Sequence, residues 1–195
     1  SLKRDRKGKV NGATLTSDKS ILTIGNIEKM SKSKNNGVDP QSIIEEYGAD
    51  TARLFIIFAS PPEQTLEWSS DAIEGSHKFL KRLWTFCFVN NEKISLDSIK
   101  IANQVKTKNI KSNLRKQTYE ILKQADYDMS RCHLNTVVSA AMKLLNTLEK
   151  VNSKSEIHKT YSSEVGENFE IAIESLSILI RILYPITPHI TDFLW

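Results

Sequence analysis

No apolar run in this 195-residue sequence reaches the length of a membrane span, and no signal peptide opens it. It has only two cysteines, Cys87 and Cys132. Two do not make a disulfide framework, and no paired Cys/His spacing suggests zinc. Each lies in an apolar helical pattern, so both read as buried free thiols in a reducing cytosol. No internal repeat is visible. There is no initiating Met, and the chain stops at Trp195 inside an apolar pattern. It therefore reads as an excised piece of a longer protein.

The length is enough for one large or two small domains with a real core. Hydrophobic residues make up 39% and charged residues 26%, the balance of a soluble globular protein. The net charge of +4 and pI of about 9.0 are mildly basic. That suits a polyanionic partner without establishing one.

Along the chain, Val10, Leu15, Ile21, Leu22 and Ile24 are short apolar spots separated by turn chemistry at Asn11-Gly12 and Ser17-Asp18-Lys19-Ser20. One or two short strands, forming a hairpin, are expected. Asp39-Pro40 predicts a helix start, with Asp39 as N-cap and Pro40 where its missing N–H costs nothing. Ile43, Ile44 and Tyr47 share a face of that helix, and Gly48 ends it. Asp50 is expected to cap a second helix through Phe58, apolar nearly all round and hence core, with a buried strand as the alternative. Pro61-Pro62 stop it, and residues 63–70 read as a loop. Asp71 and Glu74 then form a capping box, followed by the stripe Ile73, Ser76, Phe79, Leu80, Leu83, Trp84 and Cys87. Three further stripes begin at Ile110, Leu134 and Phe169. Pro185 closes the last of them, and another helix starts at Thr187-Pro188. The fold class is mainly α: a short β hairpin and a loop leading into an up-and-down helical bundle.

The most informative stretch is Lys29-Met30-Ser31-Lys32-Ser33-Lys34-Asn35-Asn36, followed by Gly37. It packs three lysines, two serines and two asparagines into eight residues. Lysines supply point charges, small hydroxyl residues let backbone N–H groups approach, and a glycine lets the chain turn, so such a loop can hold a polyphosphate. The five residues Lys29 to Ser33 match, one for one, the KMSKS signature of class I aminoacyl-tRNA synthetases. The continuation KNNGVDP, the stretch EEYGADTARLFIIFASPPEQTLEWS, the run Lys78 to Trp84, Leu134-Asn135-Thr136 and the closing Thr187-Pro188-His189 resemble the bacterial leucyl family of those enzymes. Valyl, isoleucyl and methionyl enzymes share the signature and the bundle. Phe58 to Pro62 and Leu66 to Ser69 favour the leucyl family.

The resemblance implies an enzyme that activates leucine with ATP and transfers it to tRNA(Leu), with Mg2+ accompanying the nucleotide, acting as a cytoplasmic monomer with no membrane association. It implies that ATP phosphates meet Lys29, Met30, Ser31, Lys32 and Ser33, with Lys29 and Lys32 as the catalytic lysines. Met30 is read as packing the loop onto its scaffold, and Lys34 lies outside the motif. Residues 1–26 resemble the trailing end of a small inserted domain, 27–70 the signature loop and connecting helices, and 71–195 a tRNA-binding bundle. The chain has no His-Ile-Gly-His-like signature, so little catalysis is expected of this piece alone. A non-catalytic helical RNA-binding module is the competing reading. Lys78, Lys81 and Arg82, and Lys108, Lys111, Arg115 and Lys116, form basic helix edges that suit a phosphate backbone. His77, His133, His158 and His189 read as surface, packing or helix-end residues. Trp68 reads as a packing anchor.

Overall fold

A computed structural model describes residues 2–4, 10–25, 28–61, 63–90, 113–154 and 163–195. They fall into two compact units, Ser1–Asp39 and Pro40–Trp195.

The first unit holds three strands, β1 (Leu2–Arg4), β2 (Val10–Thr14) and β3 (Ile21–Leu22), in an antiparallel sheet of order β1-β2-β3. Leu2 faces Ala13, and the register shifts between Lys3 and Arg4. Ala13 and Thr14 face Leu22 and Ile21. The β2–β3 turn is made by Asp18, whose carboxylate accepts from the Ser20 N–H at 2.9 Å and the Ser20 hydroxyl at 2.7 Å. The Ser20 backbone N–H holds the Asp18 carboxyl below the usual carboxylate range. The sheet thus has a strand more than the hairpin the sequence suggests, because this turn brings the short pair Ile21-Leu22 back onto β2.

The second unit is helical: α1 (Pro40–Tyr47), α2 (Ala49–Ala59), α3 (Ser70–Val89), α4 (Asn113–Ser130), α5 (Leu134–Lys154), α6 (Ser163–Leu183) and α7 (Pro188–Leu194). Pro40 opens α1 as its residue type predicts. Helices α4, α5 and α6 pack mutually, α2 lies on α3 and α5, and α7 contacts α2, α3 and α6. The core runs through Leu54, Phe79, Leu83, Val137, Val138, Ala141, Leu144, Leu145, Leu148, Leu179 and Leu183. These are the apolar stripes spaced three and four apart. Among the described residues no helix is long and apolar enough to cross a membrane.

Several local expectations are corrected. Residues 49–59 are the expected helix, but only one side of it is core. Leu54 and Phe55 are buried, whereas Ile56 is 55% and Phe58 39% exposed, since α2 packs its partners on one face. Asp50 does not cap α2. Gly48 occupies that N-cap, at φ 86° and ψ 154° and without a side-chain bond, and it also closes α1 through its N–H to the Ile44 carbonyl at 2.9 Å. Asp71 does not cap α3. The helix starts earlier, and Ser69 is its N-cap, accepting from the Ala72 N–H at 3.3 Å. Glu74 pairs instead with Lys78, one turn on, at 2.8 Å, and that partner holds its pKa down. Cys87 is buried, but Cys132 is exposed. It sits at φ 58° in the turn between α4 and α5, where the helical pattern that suggested burial has ended. The expected starts at Ile110 and the flanking connector, with His158, Lys108 and Lys111, lie outside the described residues.

Candidate phosphate-binding loop and nucleic-acid interface

The loop from Glu28 to Asn36 is built by its own polar groups. Lys32–Lys34 make a single 3-10 turn, preceded by extended Ser31 and followed by Asn35 at φ 48° and ψ 35°. Asparagine tolerates this left-handed conformation because its short amide bonds locally. The turn is closed by the Lys34 N–H to the Ser31 carbonyl and the Asn35 N–H to the Lys32 carbonyl, both at 3.2 Å. The Asn36 amide then reaches back across the turn. Its Oδ1 accepts from the Ser31 N–H at 2.8 Å, and its Nδ2 donates to the Lys29 carbonyl at 3.4 Å. The hydroxyls of Ser31 and Ser33 lie 3.3 Å apart.

The three lysines are not equivalent. Lys34 pairs with Glu28 at 2.5 Å. Lys29 and Lys32 are exposed, and among the described residues neither ammonium has a partner. Met30 is 43% exposed, so the packing role read for it is not one the described residues display. The structure therefore brings Lys29, Ser31, Lys32 and Ser33 together on one short exposed loop, with two cations and two hydroxyls that meet no protein acceptor among the described residues beyond the hydroxyls' contact with each other. Such a surface attracts an anion with several oxygens. Asn36 is the loop residue that reading by type undervalues. Only its two-sided amide, placed just beyond a left-handed asparagine, hints that it closes the loop.

In the helical unit most of the expected basic edges are already engaged. Arg82 spans from α3 to α5, with Nε donating to Glu149 Oε1 at 3.2 Å, Nη2 to Asn146 Oδ1 at 2.6 Å, and a further ion pair from Nη2 to Glu149 Oε2. The Glu149 carboxylate raises the Arg82 pKa further. Arg115 lies near Glu174 at 3.4 Å and over the Tyr119 ring, and its pKa is raised by the Tyr119 hydroxyl and then by the Glu174 charge. Lys78 and Lys116 face Glu74 and Glu120 one helical turn away. Exposed pairs of that kind are weak and exchange readily for a phosphate. Lys81 is exposed and has no partner among the described residues. Lys78, Lys81 and Arg82 border an open groove of about 570 Å³ lined also by Phe86 and Val89.

The remaining singled-out residues are structural. Trp68 packs edge-on against Phe55 at 5.2 Å. His77 sits edge-on to Tyr47 at 5.6 Å, with Nδ1 3.4 Å from the Thr51 hydroxyl. The His133 carbonyl accepts the Thr136 and Val137 N–H groups at the start of α5. His189 Nδ1 lies 3.0 Å from Asp50 Oδ1 and 2.9 Å from Arg53 Nη2. Asp50, 8% exposed, also pairs with Arg53 and accepts the Ile190 N–H at 2.7 Å. It caps α7, a helix far along the chain, which no local pattern announces.

Comparison with known proteins places both parts. A family described as tRNA synthetases class I (I, L, M and V) matches residues 18–69, and one described as the anticodon-binding domain of tRNA ligase matches residues 111–195. The chain is 47% identical over 195 residues to a leucine–tRNA ligase of Paraburkholderia phymatum, aligning 98% of itself with 20% of that protein. It is 45% identical over 196 residues to one of Aromatoleum aromaticum, aligning all of itself with 21%. The chain thus spans about a fifth of the length of these relatives. Its fold resembles the crystal structure of the ternary complex of Agrobacterium radiobacter K84 agnB2 LeuRS-tRNA-LeuAMS, with a TM-score of 0.65 and 25% identity, across 86% of this chain and 20% of that one. The apo form of Mycobacterium tuberculosis methionyl-tRNA synthetase shares the fold, with a TM-score of 0.54 at 18% identity, across 80% of this chain and 34% of that one.

Proposed function

The chain belongs to the class I tRNA synthetases, as a segment aligned with leucine–tRNA ligases, and on that premise we propose that it supplies two working parts of such an enzyme. One is a loop that grips the phosphates of ATP. The other is a helical unit that lies against tRNA(Leu). By role, residues 1–26 are the end of an inserted domain, 27–70 the signature loop with its connecting helices, and 71–195 the tRNA-contacting bundle. This is a division by role and not by packing, since α2 contributes Leu54 to the bundle's core.

The observation that carries the reading is the unequal state of the loop lysines. In activation, a leucine carboxylate oxygen attacks the α-phosphorus of ATP. The bond from that phosphorus to the bridging oxygen breaks, and pyrophosphate leaves with growing negative charge. Charge placed in advance where negative charge develops lowers that barrier. Lys29 and Lys32 are free to act so, with Ser31 and Ser33 as hydrogen-bond donors, while Lys34 is tied to Glu28. Met30 flanks the nucleotide without a charge to offer. Bound Mg2+ would neutralise part of the phosphate charge. The loop's ammoniums do not fit it as ligands, and among the described residues no group of three or more His, Cys, Asp and Glu is gathered to hold a metal. The ion thus suits the nucleotide's own oxygens. Leucine is favoured over valine, isoleucine or methionine as substrate, and a ligase over a purely RNA-binding module, by the names of relatives that match along the whole chain. A cytoplasmic monomer is the setting the family resemblance implies.

In the complete ligase, Lys32→Ala is expected to slow leucyl-adenylate formation by about 100- to 1000-fold, the loss typical of one preorganised donor. The loss should fall on kcat, with leucine affinity unchanged. Lys34→Ala should cost less, because Lys34 must first give up its exposed pairing with Glu28 whereas Lys32 starts without one. Pyrophosphate exchange kinetics measure both. A Lys34→Ala variant slower than Lys32→Ala, or a Lys32→Ala effect confined to the KM for leucine, would refute the assignment.

A further inference from the structure

We infer that Asn36 is a positioning residue for adenylate formation, acting through Lys29 and Lys32; the inference rests on the phosphate-loop reading above. Its carboxamide is used at both ends. Oδ1 accepts the Ser31 N–H at 2.8 Å, and Nδ2 donates to the Lys29 carbonyl at 3.4 Å. The amide orientation follows from the partners, because the reverse would set N–H against N–H and oxygen against oxygen. These two bonds join the residue after the left-handed reversal at Asn35 to the residues before the 3-10 turn. They close a ring from Lys29 to Asn36.

Beside the clamp, the described side chains hold that ring only by the exposed Lys34–Glu28 ion pair and the Ser31–Ser33 hydroxyl contact, and exposed pairs are weak. Every residue from Lys29 to Gly37 is exposed except the half-buried Ser31, so no apolar packing fixes it. The backbone contributes two bonds, both at 3.2 Å, and both lie inside the turn. Lys29 precedes the turn, and among the described residues only the bond from Asn36 ties its peptide carbonyl to the rest of the loop. Lys32 follows Ser31, whose N–H is the other anchored group. The clamp thus fixes the two backbone points from which the free ammoniums project. A loop without it keeps both charges and no longer fixes the backbone that carries them. Misplacement on the scale of 1 Å is enough to cost about 100-fold in rate.

The test uses the complete ligase with Lys32→Ala, Asn36→Ala and the double variant. Pyrophosphate exchange reads activation, and single-turnover transfer from preformed leucyl-adenylate to tRNA reads the second step. Asn36→Ala is expected to lower kcat for activation by about 10- to 100-fold, with the KM for leucine and the transfer step unchanged. The double variant should be slower than Lys32→Ala by clearly less than the full Asn36→Ala factor, since one of the two lysines the clamp positions is already gone. A wild-type activation rate in Asn36→Ala would overturn the inference. So would losses that multiply in the double variant, or an equal fall in both steps, which marks general damage. A wild-type rate in Lys32→Ala would instead remove the phosphate-loop reading itself, and the inference with it.

Discussion

Cys87 and Cys132 share a residue type and little else. Burial in the α3 face of the core pushes the Cys87 thiol up to about 12, while Cys132 lies exposed in a turn. In mildly alkaline buffer a disulfide reagent should modify one thiol quickly and the second only as the chain unfolds, and Cys132→Ser should abolish the fast phase. The same shift has a stability consequence. The folded pKa lies above the ordinary value of 9.0, so the contribution of the neutral thiol is complete below about 9 and is lost as pH rises toward about 12. Melting temperature across that range should fall less steeply in Cys87→Ala; equal slopes in both proteins would refute this. Residue types were readable where the cause is local. The order Lys29 to Ser33 is chemistry written in five adjacent positions. The exposure of Cys132 is not legible there because a helical pattern does not show where the helix stops, and the part Asn36 plays is not legible because its partners depend on how the backbone reverses.

Among the elements, stripes were readable and ends were not. The four long helices follow from apolar residues three and four apart, and the packing of Leu83, Leu144 and Leu179 is the ordinary result. Their caps depend on which polar side chain wins a given N–H. Both Asp50 and Asp71 look like caps by type, yet Gly48 and Ser69 hold those positions. Gly48 is a sharper constraint than its neighbours suggest. A Cβ there would meet nothing within 4 Å, so substitution brings no clash. The φ of 86° with ψ of 154° nonetheless belongs to a region almost closed to L side chains. Gly48→Ala should therefore destabilise the helical unit by about 1–3 kcal/mol, measured by urea denaturation of the chain. An unchanged midpoint would show that the α1–α2 junction relaxes freely.

At the scale of the whole molecule, the helical unit begins at Pro40, and a boundary drawn at residue 71 cuts through its core. Leu54 and Phe55 are fully buried, and removing such side chains costs about 1.5–3 kcal/mol each in lost burial. A 40–195 fragment should thus unfold at clearly higher urea than a 71–195 fragment, both remaining helical by circular dichroism. Equal midpoints would mean that α2 is an ornament on a self-sufficient bundle. The Asp50 contact with the Ile190 N–H adds a dimension of time. It joins residues 140 positions apart, and a ribosome adding about 5–20 residues per second needs roughly 7–28 s to cross that interval. Throughout it, a nascent α2 holds the Asp50 carboxylate ready for a backbone partner not yet made. The interval is long enough for a chaperone to bind and leave, and it is the emergence of α7 that ends the wait.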